Sequence, residues 1–160
     1  MTRYPVTPEG YKTLVAELSH MKEVVRPQIV RDIEEARAHG DISENSEYED
    51  AKERQAHCEG RIAELEGRAA AAEVIDVMKL PVTDRVVFGA TVRIESASGE
   101  SRTWRIVGEG EADVEKGRIS YKSPLGKALI GRHEGEEAIV PAPSGNQTWE
   151  IVEVRYTDAR

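Results

Sequence analysis

Asp41, Glu44 and Glu47 stand three residues apart within the polar run His39-Gly40-Asp41-Ile42-Ser43-Glu44-Asn45-Ser46-Glu47-Tyr48. Carboxylates repeated at that interval on a helix gather at one end of it, and grouped carboxylates attract hard cations. Mg²⁺ prefers oxygen ligands in an octahedron and takes only one or two carboxylates from a protein, with phosphates and waters completing its shell. In a two-metal site such ions stabilise the attacking and leaving oxygens of a displacement and acidify a bound water. A carboxylate can accept that water's proton. Asp41 and Glu44 alone are an incomplete site, so a metal role requires a partner that supplies the rest. A plainer reading stands beside it: Asp41-x-x-Glu44 is also a capping-box pattern, with Asp41 as the N-cap of the next helix and Glu44 reaching back.

The elements that position these acids are two long helices. Thr7-Pro8-Glu9 is a helix start, with Thr7 as N-cap and Pro8 at the first helical position. Tyr11, Leu14, Leu18, Met21 and Val25 then alternate spacings of three and four, the seam of a coiled coil. Pro27 predicts a kink rather than an end, because Ile29, Ile33 and Ala36 carry the apolar face onward. Gly40 suits a helix stop. After the polar run, Tyr48, Ala51, Gln55, Cys58, Ile62, Leu65, Ala69 and Ala72 form a cleaner heptad. Gln55 reads as a register device, Cys58 as a small packing residue, and Tyr48 as the top of the seam. Helices of about thirty residues are on the order of 45 Å long, and a short turn makes them antiparallel neighbours.

The chain has 160 residues, 39% hydrophobic and 32% charged, with a formal net charge of −8. Residues 1–75 carry 10 Lys and Arg against 16 Asp and Glu, and 76–160 carry 12 against 14, so the acid concentrates in the helical half. This balance argues against wrapping duplex DNA, which needs a basic face. It favours a protein partner, a metal or a positively charged channel. No apolar run is long enough to span a bilayer, and the N-terminus lacks the apolar core of a signal peptide. One cysteine, Cys58, excludes an internal disulfide framework and fits a reducing cytoplasm. No paired Cys and His spacings point to structural zinc.

At Glu73 the pattern changes. Val74–Met78 is strand-like and Pro81–Asp84 is a linker. Short β-prone runs follow at Arg85–Phe88, Ala90–Glu95, Arg102–Val107, Arg118–Lys122, Glu137–Val140 and Thr148–Tyr156. Ala97–Glu100 signals a hairpin. Ser123-Pro124 opens a short helix that Gly131 closes, and Gly126 inside it is expected to weaken it by roughly 1 kcal/mol. The expected fold class is α+β: an N-terminal antiparallel coiled-coil hairpin over 1–76, tipped by acids at about 39–48, then a domain over 77–160 with a curved antiparallel sheet and one short helix. With so few aromatics, no stacking platform for single-stranded nucleic acid is apparent.

The run Glu35–Tyr48 resembles the tip of bacterial transcript cleavage factors of the GreA type, which act in transcription elongation. Cys58-Glu59-Gly60-Arg61-Ile62, Val74-Ile75-Asp76, Phe88-Gly89-Ala90, Arg105-Ile106-Val107-Gly108 and Ser123-Pro124-Leu125 continue the match in order over essentially the whole chain. The resemblance implies that the second domain is FKBP-like and docks at the secondary channel of RNA polymerase. It implies that the hairpin passes through that channel, and that the polymerase's own centre hydrolyses backtracked RNA near its 3′ end. Asp41 and Glu44 would then help hold a catalytic Mg²⁺ shared with the polymerase, with no cofactor bound tightly by the chain alone. Arg37 and Lys52 match the small basic patch toward the nascent RNA 3′ end, and Ser123 and Pro124 match the segment that touches the channel rim. A cytoplasmic monomer with no membrane partner is expected, because the internal hairpin already satisfies each seam.

Plainer readings accompany these roles. Arg37 and Lys52 could be surface charges bridged to Glu34 or Glu49, Ser123 a helix cap, and His39 a polar residue near a helix C-terminus. The sequence departs from the family's pattern after the tip tyrosine, where Glu49-Asp50 adds acid. That opens the alternative of an acidic-tipped inhibitor occupying the channel without promoting cleavage. An isomerase or chaperone is the reading from another class, opposed by the scarcity of aromatics for a proline pocket and by the weak link between fold and function.

Overall fold

A computed structural model of the protein describes residues 2–40 and 45–157. The chain divides into two compact units, one of Met1–Thr2 and Tyr11–Ala72, the other of Arg3–Gly10 and Glu73–Arg160.

In the first unit, helix α1 (Pro8–His20) runs into a single π-helical turn, Met21–Val25, and then into α2 (Arg26–Ala38). The Arg26 N–H donates to the Met21 carbonyl, five residues back. Pro27 explains the widened turn. Its ring has no N–H to give and would press on the carbonyl four residues earlier in a regular α-helix. The expected kink is therefore absorbed as a π turn, one of the recognised causes of helix bending. Helix α2 stops at Ala38, with His39 as C-cap. Gly40 follows at φ 151°, a backbone that favours glycine.

The returning helix, α3 (Ser46–Ala71), has 26 residues, so it is about 39 Å long. Its N-cap is Asn45, whose side chain accepts the Tyr48 N–H. The role of N-cap therefore does not fall to Asp41. Asn45 wins because an extended backbone at that position points its carbonyl oxygen at the N–H three residues on. Ile29 and Ile33 of α2 pack with Ala51, Cys58 and Ile62 of α3, with Leu18, Met21, Val25 and Tyr48 partly buried around them. Cys58 is buried in this seam, as a packing residue should be, and Gln55 is half-buried. Arg26 donates through two nitrogens to Glu59, Arg54 bridges to Asp32 and Arg61 to Glu17. These pairs fasten the outgoing arm to the returning one along its length.

The second unit holds a five-stranded sheet in the order β5-β4-β3-β7-β6, after a small pair β1 (Tyr4–Val6) and β2 (Ala72–Val74). Strands β3 (Thr91–Ser96), β4 (Ser101–Val107), β6 (Glu137–Val140) and β7 (Gln147–Arg155) pair antiparallel. Edge strand β5 (Arg118–Ser120) lies parallel to β4, so the sheet is mixed rather than wholly antiparallel. The physical reason is the connection: the chain leaves β4 through two 3₁₀ turns, Glu109–Glu111 and Val114–Lys116, long enough to return it to the starting end. Two β-prone runs also resolve differently. Val77–Lys79 is a 3₁₀ turn capped by Asp76, and around Arg85 there is an isolated bridge to His133 instead of a strand.

The core under the sheet is built from Val92, Ile94, Ile106, Leu129, Ala138 and Ile151 with their neighbours. Ile151 and Val154 both face it although they are three residues apart. A register shift between Arg93 and Ile94, opposite β7, resets the alternation so that both can. Helix α4 (Pro124–Leu129) is capped by Ser123, whose hydroxyl accepts the Gly126 N–H at 3.0 Å and donates to the Ser120 carbonyl at 2.7 Å. Gly126 is buried, and a Cβ there would stand 2.3 Å from the Ser120 carbonyl oxygen. Glycine is thus required for close approach, which reverses the expectation that it merely weakens the helix.

The first turn of α1 is tied to the same unit. The Thr7 hydroxyl accepts the Gly10 N–H at 3.0 Å, and the Glu111 carboxylate accepts the Thr7 N–H, the Thr7 hydroxyl and the Gly108 N–H. Arg105, buried within β4, donates to the Gly89 carbonyl and pairs with Glu9 at 3.3 Å.

Candidate functional site

The hairpin turn is closed by side chains on both of its flanks. The Asn45 amide donates to the Ala36 carbonyl while its oxygen caps α3. His39 Nδ1 lies 3.2 Å from a Glu47 carboxylate oxygen. Both contacts span from the end of α2 to the start of α3, so the ends of the connection are held together. Among the three evenly spaced acids, Glu47 lies in the first turn of α3 and meets His39, while Asp41 and Glu44 lie outside the described residues. Among the described residues, no group of three or more His, Cys, Asp or Glu is placed to hold a metal ion.

Arg37 lies in the last turn of α2 and Lys52 in the second turn of α3. The Arg37 guanidinium sits over the Tyr48 ring, 5.7 Å from its centroid, a favourable cation–π arrangement. Lys52 is one helical turn beyond Tyr48 on the same face, and its Nζ donates to Gln55 at 2.9 Å. Both cations are exposed. Among the described residues, neither cation is paired with Glu34 or Glu49; Arg37 meets Tyr48 and Lys52 meets Gln55 instead. Along the arms, the Arg26 guanidinium bound to Glu59 holds that carboxyl below the usual range. Asp32 is likewise lowered, first by the Gln28 amide and then by Arg54. Arg61 is raised by its hydrogen bond to Glu17.

Ser123 and Pro124 belong to the other unit. Ser123 is occupied as the cap of α4, and Pro124 stands exposed at its first position. Next to them, Lys122 lies over two rings, 5.4 Å from Tyr4 and 5.9 Å from Tyr121. Asn45 and Lys122 are the residues that sequence reading passed over. Asn45 carried a signal, since asparagine is among the best N-cap residues. The Lys122 arrangement carried none, because Tyr4 is remote in sequence.

Residues 4–74 match the family described as "Transcription elongation factor, N-terminal", and residues 81–156 match "Transcription elongation factor, GreA/GreB, C-term". The chain is 54% identical over 159 residues to the transcription elongation factor GreA of Anaeromyxobacter sp. (strain K), covering 99% of this chain and 95% of that protein. It is 52% identical to GreA of Methylococcus capsulatus, covering 98% and 99%. Among solved structures, the GreA factor homolog 1 of Thermus thermophilus is 28% identical over 96% of this chain and 99% of that one, with a TM-score of 0.42. A helical hairpin and a small mixed sheet unit, each matched by its own half of one family, define a transcription elongation factor. The chain belongs to the GreA/GreB family. No described helix is long and apolar enough to cross a membrane.

Proposed function

We propose that this protein binds RNA polymerase, reaches the polymerase centre through the secondary channel with its hairpin, and promotes hydrolysis of backtracked RNA there. The observation that carries this reading is the clasped turn. Asn45 to Ala36 and His39 to Glu47 draw together the two flanks of the connection over residues 39–45, which contains Asp41 and Glu44. Two carboxylates suit Mg²⁺ as donors and leave most of its shell to others, so the chain is not itself the catalyst. The ion, when bound between the partners, supplies charge neutralisation and acidification of water. The chain's part is to deliver negative charge and to orient it. Arg37, braced on Tyr48, and Lys52 offer a cationic face to the phosphates of the RNA 3′ end. Ser123 and Pro124 dock on the channel rim. The protein works in the cytoplasm as a monomer.

The test is addition of the purified protein to backtracked elongation complexes, with and without Mg²⁺. Short 3′ RNA fragments are expected, and Asp41→Asn should bind polymerase yet cleave about 10²-fold more slowly or worse. Unchanged cleavage by Asp41→Asn overturns the role given to Asp41. Inhibition of synthesis with no fragments released would instead favour a channel-occupying inhibitor, for which the exposed Glu49 and Asp50 supply additional acid.

A further inference from the structure

Residues 116–133 contain Lys116, Arg118, Lys122, Lys127 and Arg132 and no Asp or Glu, in a chain whose formal net charge is −8. This stretch spans β5 and α4 and includes Ser123-Pro124. At its centre Lys122 is held over the rings of Tyr4 and Tyr121, and Phe88 braces Tyr121 edge-on at 5.9 Å between centroids. Tyr4 is 45% exposed. The only carboxylate paired with Lys122 among the described residues is Glu109, at 3.6 Å. That is beyond hydrogen-bond length, so the ammonium can exchange it for a better-placed acid. Lys127 follows Pro124 by three positions on α4, which sets it on the same face. It is exposed and has no ion-pair partner among the described residues.

We propose that Tyr4, Lys122 and Lys127 extend the Ser123–Pro124 segment into a docking surface for an acidic protein element of RNA polymerase; this rests on the docking role proposed above for that segment. Tyrosines presented with a cation are typical interface anchors, and opposite charge on the partner accelerates encounter. A protein partner is favoured over a nucleic acid because the Tyr4 and Tyr121 rings already carry a cation, where a base-stacking platform needs open faces.

The experiment measures the affinity and association rate of the full-length protein for core RNA polymerase over a series of salt concentrations. Lys122→Glu and Lys127→Glu should each weaken binding about fivefold or more, slow association and flatten the salt dependence. Tyr4→Ala should do the same, with Tyr4→Phe restoring wild-type affinity because the ring face is kept. Pro124→Ala reports separately on the underlying docking segment. If it weakens binding while both lysine variants stay within about twofold of wild type, the extension is wrong and the segment stands. If none of the variants weakens binding, both readings fall. Loss of affinity for a short single-stranded RNA, rather than for polymerase, in Lys122→Glu would also overturn the proposal in favour of a nucleic-acid surface.

Discussion

Asn45 bonds in two directions at once, donating its amide to the carbonyl of Ala36 on the outgoing helix and accepting the Tyr48 N–H on the returning one. One side chain thus gives the Ala36 carbonyl a second donor, beside the His39 N–H at 3.2 Å, and satisfies an orphan donor of α3. Asn45→Ala removes both bonds and should cost about 1–2 kcal/mol. Asn45→Asp keeps the cap, loses the donor to Ala36 and should cost less. Chemical denaturation of the three proteins gives the ranking, and amide exchange at 46–49 should speed up most in the alanine variant. An alanine variant as stable as wild type would show that the clasp is dispensable.

Gly126→Ala separates helix propensity from packing. Propensity alone makes the exchange favourable by about 1 kcal/mol. The new Cβ, however, would lie 2.3 Å from the Ser120 carbonyl oxygen, which is backbone and cannot swing aside. The variant should therefore be destabilised, with a lower melting temperature. A stabilised variant would mean that the Ser120 carbonyl can move at little cost.

Acid should loosen the arms of the hairpin. The carboxyls of Glu59 and Asp32 are held lower in the folded protein than in the unfolded chain. The stabilisation they bring is complete above about pH 5 and is lost as pH falls through their folded-state values. Because both groups are solvent-facing, the effect is modest and salt-screened. Helicity followed by circular dichroism from neutral pH downward should fall less steeply in a Glu59→Gln, Asp32→Asn double variant than in wild type. Superimposable acid profiles would remove these pairs from the account.

Glu111 accepts from the Thr7 N–H, the Thr7 hydroxyl and the Gly108 N–H. Glu111→Ala leaves donors around the buried Thr7 without an acceptor and should cost about 2–3 kcal/mol. Thr7→Val removes one of those donors, and together the two changes should cost less than the sum of the single ones. A denaturant-based double-mutant cycle reads the coupling directly, and additive costs would show that the contact is incidental.

The sequence by itself determined whatever depends on neighbours in the chain. The three-and-four spacing of Leu18, Met21 and Val25, and of Ala51, Cys58 and Ile62, encodes a seam because helical geometry puts those positions on one face. Thr7-Pro8 and Ser123-Pro124 announce helix starts because a cap needs only the next few N–H groups. Tertiary structure decided the rest. Asp41 and Asn45 were both competent caps, and the bond from Asn45 to Ala36 exists only once the second arm has folded back. The parallel pairing of β5 with β4 depends on where a long connection returns the chain. Burial of Arg105 depends on Glu9 and Gly89 arriving beside it. Lys122 sits over Tyr4 only because folding closes a separation of more than a hundred residues, and no local spacing rule can register a contact of that kind.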